Sequence, residues 1–250
     1  MKRIGAALTL FTRLPLWKWT EIPSSEYSYA VTFWPLTGWL TGGTTAAILW
    51  IAGNLMPITP AVILALVWRV LLTGALHEDG FADFCDGFGG GKNKEQILTI
   101  MKDSHIGTYG VMGLILYFFL YFAMLTELPL YIAIASVIAI DVFSKACASQ
   151  ITNFLPYARK EGAKNLVTYS PMSRYQIFIV IITGSLPVLV LSFINIYLLF
   201  SVLFPIMMLT GLIQLMRSKI GGYTGDCCGA TFLLCEISML LGITVILNLF

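Results

Sequence analysis

The sequence predicts an all-α fold: a polytopic integral membrane helical bundle of about seven transmembrane helices, with cytoplasmic polar loops and an N-terminal interfacial helix. Of the 250 residues, 58% are hydrophobic and only 11% are charged, whereas soluble domains carry about 25% charged residues. Apolar runs of about 20 residues recur, and each is long enough to cross about 30 Å of hydrocarbon. No hydrophilic block is large enough to fold separately, so we expect residues 1–250 to form a single domain.

The N-terminal segment is expected to form a helix that lies on the membrane surface. Ile4, Leu8 and Phe11 share one helical face, and the basic residues lie elsewhere on the helix, as in interfacial amphipathic helices. Arg13 interrupts the apolar run, and no small-residue cleavage site follows it. These features argue against a signal peptide.

Seven later segments are expected to cross the membrane. They are residues 31–52, 61–76, 108–126, 130–150, 175–193, 197–216 and 230–249. Three polar stretches lie between them, namely residues 73–110, 152–174 and 217–229.

The basic residues predict the orientation of these spans. If the N-terminus and the three polar stretches share one side, that side holds 13 of the 15 basic residues. They are Lys2, Arg3, Arg13, Lys18, Lys92, Lys94, Lys102, Arg159, Lys160, Lys164, Arg174, Arg217 and Lys219. Because positively charged loops stay in the cytoplasm, we expect a cell (inner) membrane protein with a cytoplasmic N-terminus and an external C-terminus.

Residues 73–110, here called the acidic stretch, gather carboxylates among glycines. Asp79, Asp83 and Asp86 are spaced four and three residues apart, which places all three on one face of a helix. Their mutual repulsion requires a counterion, and oxygen ligands at this spacing suit Mg²⁺, usually held by one or two carboxylates together with substrate phosphates. We therefore predict Mg²⁺ as the cofactor and these three aspartates as its ligands. A solvated acidic loop is the alternative.

The residues that follow the aspartates are candidates for phosphate binding. Gly89, Gly90 and Gly91 free backbone N–H groups to approach phosphate oxygens. Lys92, Lys94 and Lys102 are placed to neutralise a diphosphate. The cytoplasmic preference of lysine alone would also explain these lysines, Lys92 and Lys94 in particular.

Two histidines and one more aspartate of the acidic stretch are candidates for proton transfer. A short helix is predicted at residues 94–104, with Asn93 as its N-cap. Asp103 and His105 lie at its end, and either is a candidate general base or ligand. His77 precedes Asp79 by two residues and is placed to orient a carboxylate.

The glycine-rich turn at residues 217–229 repeats this chemistry. Gly222, Thr224 and Gly225 surround Asp226. Since this turn and the acidic stretch are expected on the same side of the membrane, the turn is placed to complete the site. Ordinary turn geometry is the alternative.

Four ionisable residues lie inside predicted spans, two of each sign. Charges at such depth face protein or a water-filled cavity and usually pair. Asp141 and Lys145 are four residues apart and can pair within one turn, which leaves Arg69 for Glu236. The pairs either tie the bundle together or line a polar cavity beneath the metal site. The five cysteines are odd in number and form no C-x-x-C pair, so we expect them to be reduced.

Several motifs together resemble the cobalamin synthase family, the adenosylcobinamide-GDP ribazoletransferases. The matching segments are TRLP (12–15), FWPLTGWLTG (33–42), TGALHEDGFADFCDGFGGG (73–91), IMKDSHIGTYG (100–110), YARKEG (157–162) and GGYTGD-x-x-GA (221–230), followed by Glu236. They cover nearly the whole chain. The H-x-D-G-x-A-D-x-x-D-G core and the G-G-x-T-G-D turn are the specific elements.

The resemblance implies a Mg²⁺-dependent phosphotransferase of cobalamin biosynthesis. Such an enzyme joins adenosylcobinamide-GDP to α-ribazole or its 5′-phosphate in the final nucleotide-loop assembly, and releases GMP. The implied catalytic residues are His77, Asp79, Asp83, Asp86, Asp103 and Asp226. The implied substrate-binding residues are Gly89, Gly90, Gly91, Lys92, Lys102, His105, Lys145, Arg159, Gly222, Thr224 and Gly225.

The sequence departs from the family at two of these positions. His105 and Lys145 stand where the family often has arginine, which alone binds phosphate with two parallel hydrogen bonds.

As binding partners we expect these substrates and the lipid bilayer, and no nucleic acid. The sequence leaves open whether the protein forms a homo-oligomer. The alternatives are a CDP-alcohol phosphotransferase-like enzyme, whose motif has an arginine after the alanine and longer aspartate spacings, and a divalent-cation transporter, whose acidic residues belong near the bilayer midplane.

Overall fold

The computed structural model describes residues 2–18, 21–159 and 168–250. Helices dominate these residues, which confirms the all-α prediction. The α-helices are α1 Lys2–Phe11, α2 Trp34–Leu55, α3 Ile58–Thr73, α4 Leu76–Gly90, α5 Lys94–Ile100, α6 Thr108–Thr126, α7 Leu130–Ser149, α8 Ile151–Phe154, α9 Arg174–Ser192, α10 Leu203–Lys219 and α11 Gly225–Leu249. Short 3₁₀ segments cover Leu16–Lys18, Ser24–Phe33 and Ile196–Val202.

Several of these helices are long and apolar enough to cross a membrane, as predicted. Within the described residues five qualify alone, namely Thr108–Thr126, Leu130–Phe154, Arg174–Ser192, Ile196–Lys219 and Gly225–Leu249. A sixth is obtained if α3 and α4 are taken as one span bent by 89°. The multi-pass fold is therefore confirmed, with a count of five or six instead of about seven.

The first predicted span corresponds to α2, a helix of 22 residues without a charge. It is not among the five candidate spans because its mean hydropathy is too low. Its buried face is built from glycines and threonines. A Cβ added at Gly38 would lie 2.9 Å from Cα of Val142, and one at Gly42 would lie 3.0 Å from Cβ of Asp141. Small residues of this kind let membrane helices approach closely, but they lower the mean hydropathy of α2.

The second predicted span, α3, ends in a sharp turn that aims α4 away from it. Gly74 and Ala75 both adopt left-handed conformations, with φ of 68° and 57°. Arg13 packs over Gly74, and its backbone N–H donates to the carbonyl of Leu72 at 2.7 Å. Because α4 turns away and carries the acidic residues, we treat it as lying outside the membrane-spanning segments.

Both predicted ion pairs of the bundle are confirmed. Arg69 Nη1 lies 2.7 and 2.8 Å from the carboxylate oxygens of Glu236. Lys145 Nζ lies 2.5 Å from Oδ1 of Asp141 and 2.6 Å from Oγ1 of Thr41. All of these side chains are buried, so the pairs connect α3 with α11 and α7 with α2.

The N-terminal helix α1 is present as predicted, but its packed face differs. Ala6, Ala7 and Phe11 are buried, whereas Ile4 remains exposed. The Phe11 ring stacks on Trp34, with 4.8 Å between ring centroids. The helix is therefore docked against the start of α2. All five cysteines are free thiols in the structure, as expected.

Candidate functional site

Three polar regions of the chain meet at one end of the bundle. The backbone N–H of Ala158 donates to the carbonyl of Tyr223, and that of Tyr223 donates to the carbonyl of Pro156, both at 2.9 Å. Arg159 Nη2 lies 3.4 Å from the carbonyl oxygen of Met101 and 3.5 Å from Oδ2 of Asp226. The prediction that these regions share one side of the bundle is confirmed.

The start of α11 lies directly on α4 because Gly80 has no side chain. A Cβ at Gly80 would lie 3.0 Å from Cα of Asp226. One helical turn away on α4, a Cβ at the facing Gly229 of α11 would lie 3.2 Å from the carbonyl oxygen of His77. The two glycines thus bring Asp226 to the surface of α4 that carries the aspartates.

The aspartates of α4 sit in three different environments. Asp79 is exposed, Asp83 is half-buried and Asp86 is only 7% exposed. Partial burial and then the negative charges of Asp226, Asp79 and Asp86, in that order, raise the pKa of Asp83 to about 7, against the opposing charge of Arg159. A carboxylate pressed in this way by like charges attracts a cation.

The donor set of Asp79, Asp83 and Asp226 fits a hard divalent cation. Each supplies carboxylate oxygens, the ligands that Mg²⁺ prefers. After partial burial, the negative charges of Asp226 and Asp79 are the largest causes of the raised pKa of Asp83. Within residues 2–18, 21–159 and 168–250, no three or more His, Cys, Asp or Glu side chains already stand in a metal-holding arrangement.

Asp86 makes its hydrogen bonds with the start of α6. Its Oδ2 accepts from the backbone N–H of Gly107 at 2.7 Å, and its Oδ1 accepts from that of Gly110 at 2.9 Å. The three predicted ligands do share one helix, as expected. The structure places Asp86 against the start of α6 and brings Asp226 against α4 at Gly80.

The glycines at the end of α4 serve close packing in the structure, which differs from the expected phosphate cradle. Gly89 and Gly90 lie in the last helical turn, and the Gly91 N–H donates to the carbonyl of Gly87 at 2.9 Å. A Cβ at Gly89 would lie 2.6 Å from the Tyr109 ring, and one at Gly91 would lie 2.5 Å from Ile97. Helices α5 and α6 can approach α4 only because these side chains are missing.

The α5 region supplies the exposed charges of the site. Asn93 caps α5 as predicted, since its side chain accepts from the Gln96 N–H at 3.0 Å, but the helix ends at Ile100, four residues earlier than expected. Lys92 and Lys102 are exposed.

Asp103 and His105 form an exposed pair in the loop that follows α5. The His105 ring lies 2.6 Å from Oδ1 of Asp103. Hydrogen bonds from the ring and the backbone of His105 lower the pKa of Asp103. Both residues therefore face solvent beside the site, paired with each other.

Two predicted site residues are buried beneath the site. His77 is 2% exposed, with its ring centroid 5.5 Å from that of Trp34 and 4.9 Å from that of Phe232. It makes no hydrogen bond to a carboxylate among the described residues. Lys145 is 1% exposed and paired with Asp141, so neither side chain reaches the surface that carries Asp79.

In the 217–229 turn, Thr224 and Gly222 hold the local structure, whereas Gly225 leaves the start of α11 accessible. Thr224 caps α11, because its Oγ1 accepts from the Cys227 N–H at 3.3 Å and lies 3.1 Å from Oδ2 of Asp226. Gly222 packs against the carbonyl of Pro156, whereas a Cβ at Gly225 would meet no atom within 4 Å. The open end of α11 therefore lies at Gly225, and the N-terminus of a long helix favours anions.

Comparison with known proteins places this chain in a family. The family model CobS, described as cobalamin-5-phosphate synthase, matches residues 3–244. The chain belongs to the cobalamin-5-phosphate synthase family.

Curated relatives agree with this membership. A protein of Shewanella sp. (strain W3-18-1), named adenosylcobinamide-GDP ribazoletransferase, is 39% identical over 239 residues, which cover 92% of this chain and 89% of the relative. A protein of Shewanella oneidensis with the same name is 37% identical over 238 residues, with the same coverage. No solved structure matches the chain significantly. The resemblance drawn from the motifs is confirmed, and neither alternative class is favoured.

Two contacts in this member of the cobalamin-5-phosphate synthase family were not predicted from the sequence. Tyr117 lies 2.8 Å from Arg69 Nη2 and also bonds Glu236, and Glu78 lies 3.4 Å from Arg69. Tyr117 lies within an apolar run with nothing local to mark it. Glu78 was one of six acidic residues in its stretch, and only its position next to the α3–α4 turn could have indicated a partner on α3.

Proposed function

We propose that this chain joins adenosylcobinamide-GDP to α-ribazole or α-ribazole 5′-phosphate. The products are adenosylcobalamin or its 5′-phosphate, with GMP, in the final nucleotide-loop assembly of cobalamin biosynthesis. The observation that carries the proposal is the family match over residues 3–244, supported by relatives that bear the name of this activity.

The reaction breaks the phosphoanhydride bond of the diphosphate and forms a phosphate ester bond to the acceptor. A ribose hydroxyl of the acceptor attacks the phosphorus next to the cobinamide, and the bond from this phosphorus to the oxygen of GMP breaks. The hydroxyl proton passes to a base, and GMP leaves with the bridging oxygen. Transfers of this kind depend mainly on positioning and charge stabilisation, which suits a site made of carboxylates, one arginine and a helix N-terminus.

The cofactor we propose is Mg²⁺, held by Asp79 and Asp83 with Asp226 beside them. When bound, the ion would neutralise charge on the diphosphate and on the departing GMP. The half-buried position of Asp83 and the contact of Gly80 with Asp226 support this ligand set.

The protein also offers positive groups for the phosphates. Arg159, beside Asp226, presents a guanidinium that pairs well with phosphate oxygens. Gly225 opens the N-terminal end of α11 to the same surface. Lys92 and Lys102 are exposed nearby in the chain and would attract the anionic substrate. From the distribution of basic residues we propose that this end of the bundle faces the cytoplasm of the cell membrane.

The activity is tested with the full chain purified in detergent. Incubation with adenosylcobinamide-GDP, α-ribazole and Mg²⁺ is expected to release GMP, detected by liquid chromatography, and to give none when α-ribazole or Mg²⁺ is left out. Asp83→Asn is expected to abolish GMP release while the protein stays in the membrane fraction, because the amide lacks the charge that holds the ion.

Two outcomes would contradict the proposal. Wild-type turnover by Asp83→Asn would remove the metal role of that residue. Absence of GMP release by the wild-type chain, together with Mg²⁺ flux in liposomes, would favour the transporter instead.

A further inference from the structure

We propose that Asp86 is a positioning residue that caps α6 and fixes the α5–α6 loop, and that it is not a ligand of the metal. This inference rests on the proposed function only in taking the site to bind a divalent metal ion. The hydrogen bonds of Asp86 that support the cap do not depend on the reaction.

The start of α6 lacks an N-cap side chain of its own. The helix begins at Thr108, and its N-cap residue is Gly107. The first N–H groups of any helix have no partner within the helix, and a Ser, Thr, Asp or Asn side chain at the N-cap normally accepts from them. Gly107 cannot do so.

Asp86 performs this function from a distant part of the chain. Its two carboxylate oxygens accept from the N–H groups of Gly107 and Gly110, at 2.7 and 2.9 Å. The carboxylate is buried, and its charge lies at the positive end of the α6 dipole. Both oxygens thus already have backbone donors, whereas Asp79 is exposed and Asp83 is only half-buried.

The glycines at the start of α6 are explained by the same contact. A Cβ at Gly107 would lie 2.5 Å from Oδ1 of Asp86, and a Cβ at Gly110 would lie 2.5 Å from Oδ2. Neither glycine has a positive φ, so backbone conformation does not require them. They leave room for the carboxylate between α4 and α6.

This contact fixes the loop that carries other candidate site residues. The loop between α5 and α6 holds Lys102, Asp103 and His105, and it begins at Met101. The Met101 side chain packs on Gly87, next to Asp86, and its carbonyl accepts from Arg159. Loss of the cap would therefore loosen the loop and the support of Arg159 beside Asp226.

The test separates the cap from the metal site with two measurements. Mn²⁺ binding to the substrate-free, detergent-purified full chain is followed by electron paramagnetic resonance. Hydrogen–deuterium exchange is followed at residues 101–112. The variants are Asp86→Asn and Gly110→Ala, with Asp83→Asn as the matched control on the same helix.

We expect Asp83→Asn to weaken Mn²⁺ binding at least about tenfold, a change of about 1.4 kcal/mol, and to leave exchange at 101–112 unchanged. Asp86→Asn and Gly110→Ala should keep Mn²⁺ binding within about twofold, raise exchange at 101–112, and lower kcat for GMP release. Gly110→Ala leaves the carboxylate intact, so it decides the matter if Asp86→Asn does not fold.

The proposal is overturned if Asp86→Asn weakens Mn²⁺ binding as much as Asp83→Asn does, or if exchange at 101–112 stays at the wild-type level in both cap variants. If the wild-type chain binds no Mn²⁺, the metal part of the proposed function fails, and the exchange measurement still decides whether Asp86 caps α6.

Discussion

At the scale of single residues, glycine positions account for much of the site geometry. Gly80 and Gly229 bring α11 onto α4, Gly89 admits Tyr109, and Gly107 and Gly110 admit Asp86. In a helix interior each glycine costs about 1 kcal/mol relative to alanine. The chain accepts this cost where two helices, or a helix and a carboxylate, must approach closely.

Gly80→Ala should lower activity while it leaves thermal stability almost unchanged. The new Cβ would lie 3.0 Å from Cα and 3.3 Å from the carbonyl oxygen of Asp226, so the first turn of α11 must shift by a few tenths of an ångström. The gain in helix propensity offsets part of the strain. We expect a thermal midpoint within a few degrees of the wild type, and GMP release reduced roughly tenfold because a displaced ligand weakens the site.

Gly43→Ala is the control for this test. A Cβ at Gly43 would meet no atom within 4 Å, and the residue lies in α2, outside the proposed site. It should leave GMP release near the wild-type value and keep or slightly raise the thermal midpoint, since alanine is the better helix former. If Gly80→Ala matched Gly43→Ala in GMP release, the contact between Gly80 and Asp226 would have no functional importance.

The aspartates show how far sequence spacing predicts a site. Their four- and three-residue intervals correctly place Asp79, Asp83 and Asp86 on one helix. The partners of Asp86 lie 21 and 24 residues further along the chain, and Asp226 arrives from the opposite end of the sequence. Local spacing contains no information on such contacts, so the division that we propose between metal ligands and a helix cap required the fold.

At the scale of helices and turns, sequence prediction succeeds where hydrophobicity decides the structure. The predicted spans 108–126 and 130–150 agree with α6 and α7 to within one residue. The bend between α3 and α4 was not predicted, because Ala75 adopts a positive φ that non-glycine residues rarely take. Tertiary contacts, including Arg13 packed over Gly74, hold the chain in that conformation.

Gly74→Ala should disturb this bend. An alanine at φ 68° costs about 1–3 kcal/mol in backbone strain, and its Cβ would displace Arg13 from the turn. We expect a lower thermal midpoint in detergent. We also expect slower GMP release, because the direction of α4 relative to α3 would change.

Ala75→Gly is the matched variant, because it relieves the neighbouring left-handed residue. It should keep or slightly raise the thermal midpoint, since glycine adopts positive φ without strain. A Gly74→Ala protein as stable as Ala75→Gly would show that the bend does not depend on the left-handed residue at position 74.

At the scale of the whole molecule, the helices alternate in direction between two ends. Helix α3 ends beside α4, α6 starts beside Asp86, α7 ends before the 155–159 segment, and α11 starts at Asp226. The contacts of Asp226, Arg159 and Met101 join these points at one end of the bundle. The chain therefore concentrates its polar chemistry at one end and leaves the other to short turns that contain no basic residue.

This alternation predicts that the C-terminus lies on the side of the membrane opposite to the site. Starting from the site, the path through α6, α7, α9, α10 and α11 makes five passes, each by a segment long and apolar enough to cross, so Phe250 must finish at the far end. With the basic residues of the site end in the cytoplasm, a C-terminal alkaline phosphatase fusion to the full chain should be active and a green fluorescent protein fusion dark. Fusions of the same reporters to the N-terminus should give the reverse pattern. If the C-terminal green fluorescent protein fusion is fluorescent and the C-terminal phosphatase fusion is inactive, one of the five helices does not cross the membrane.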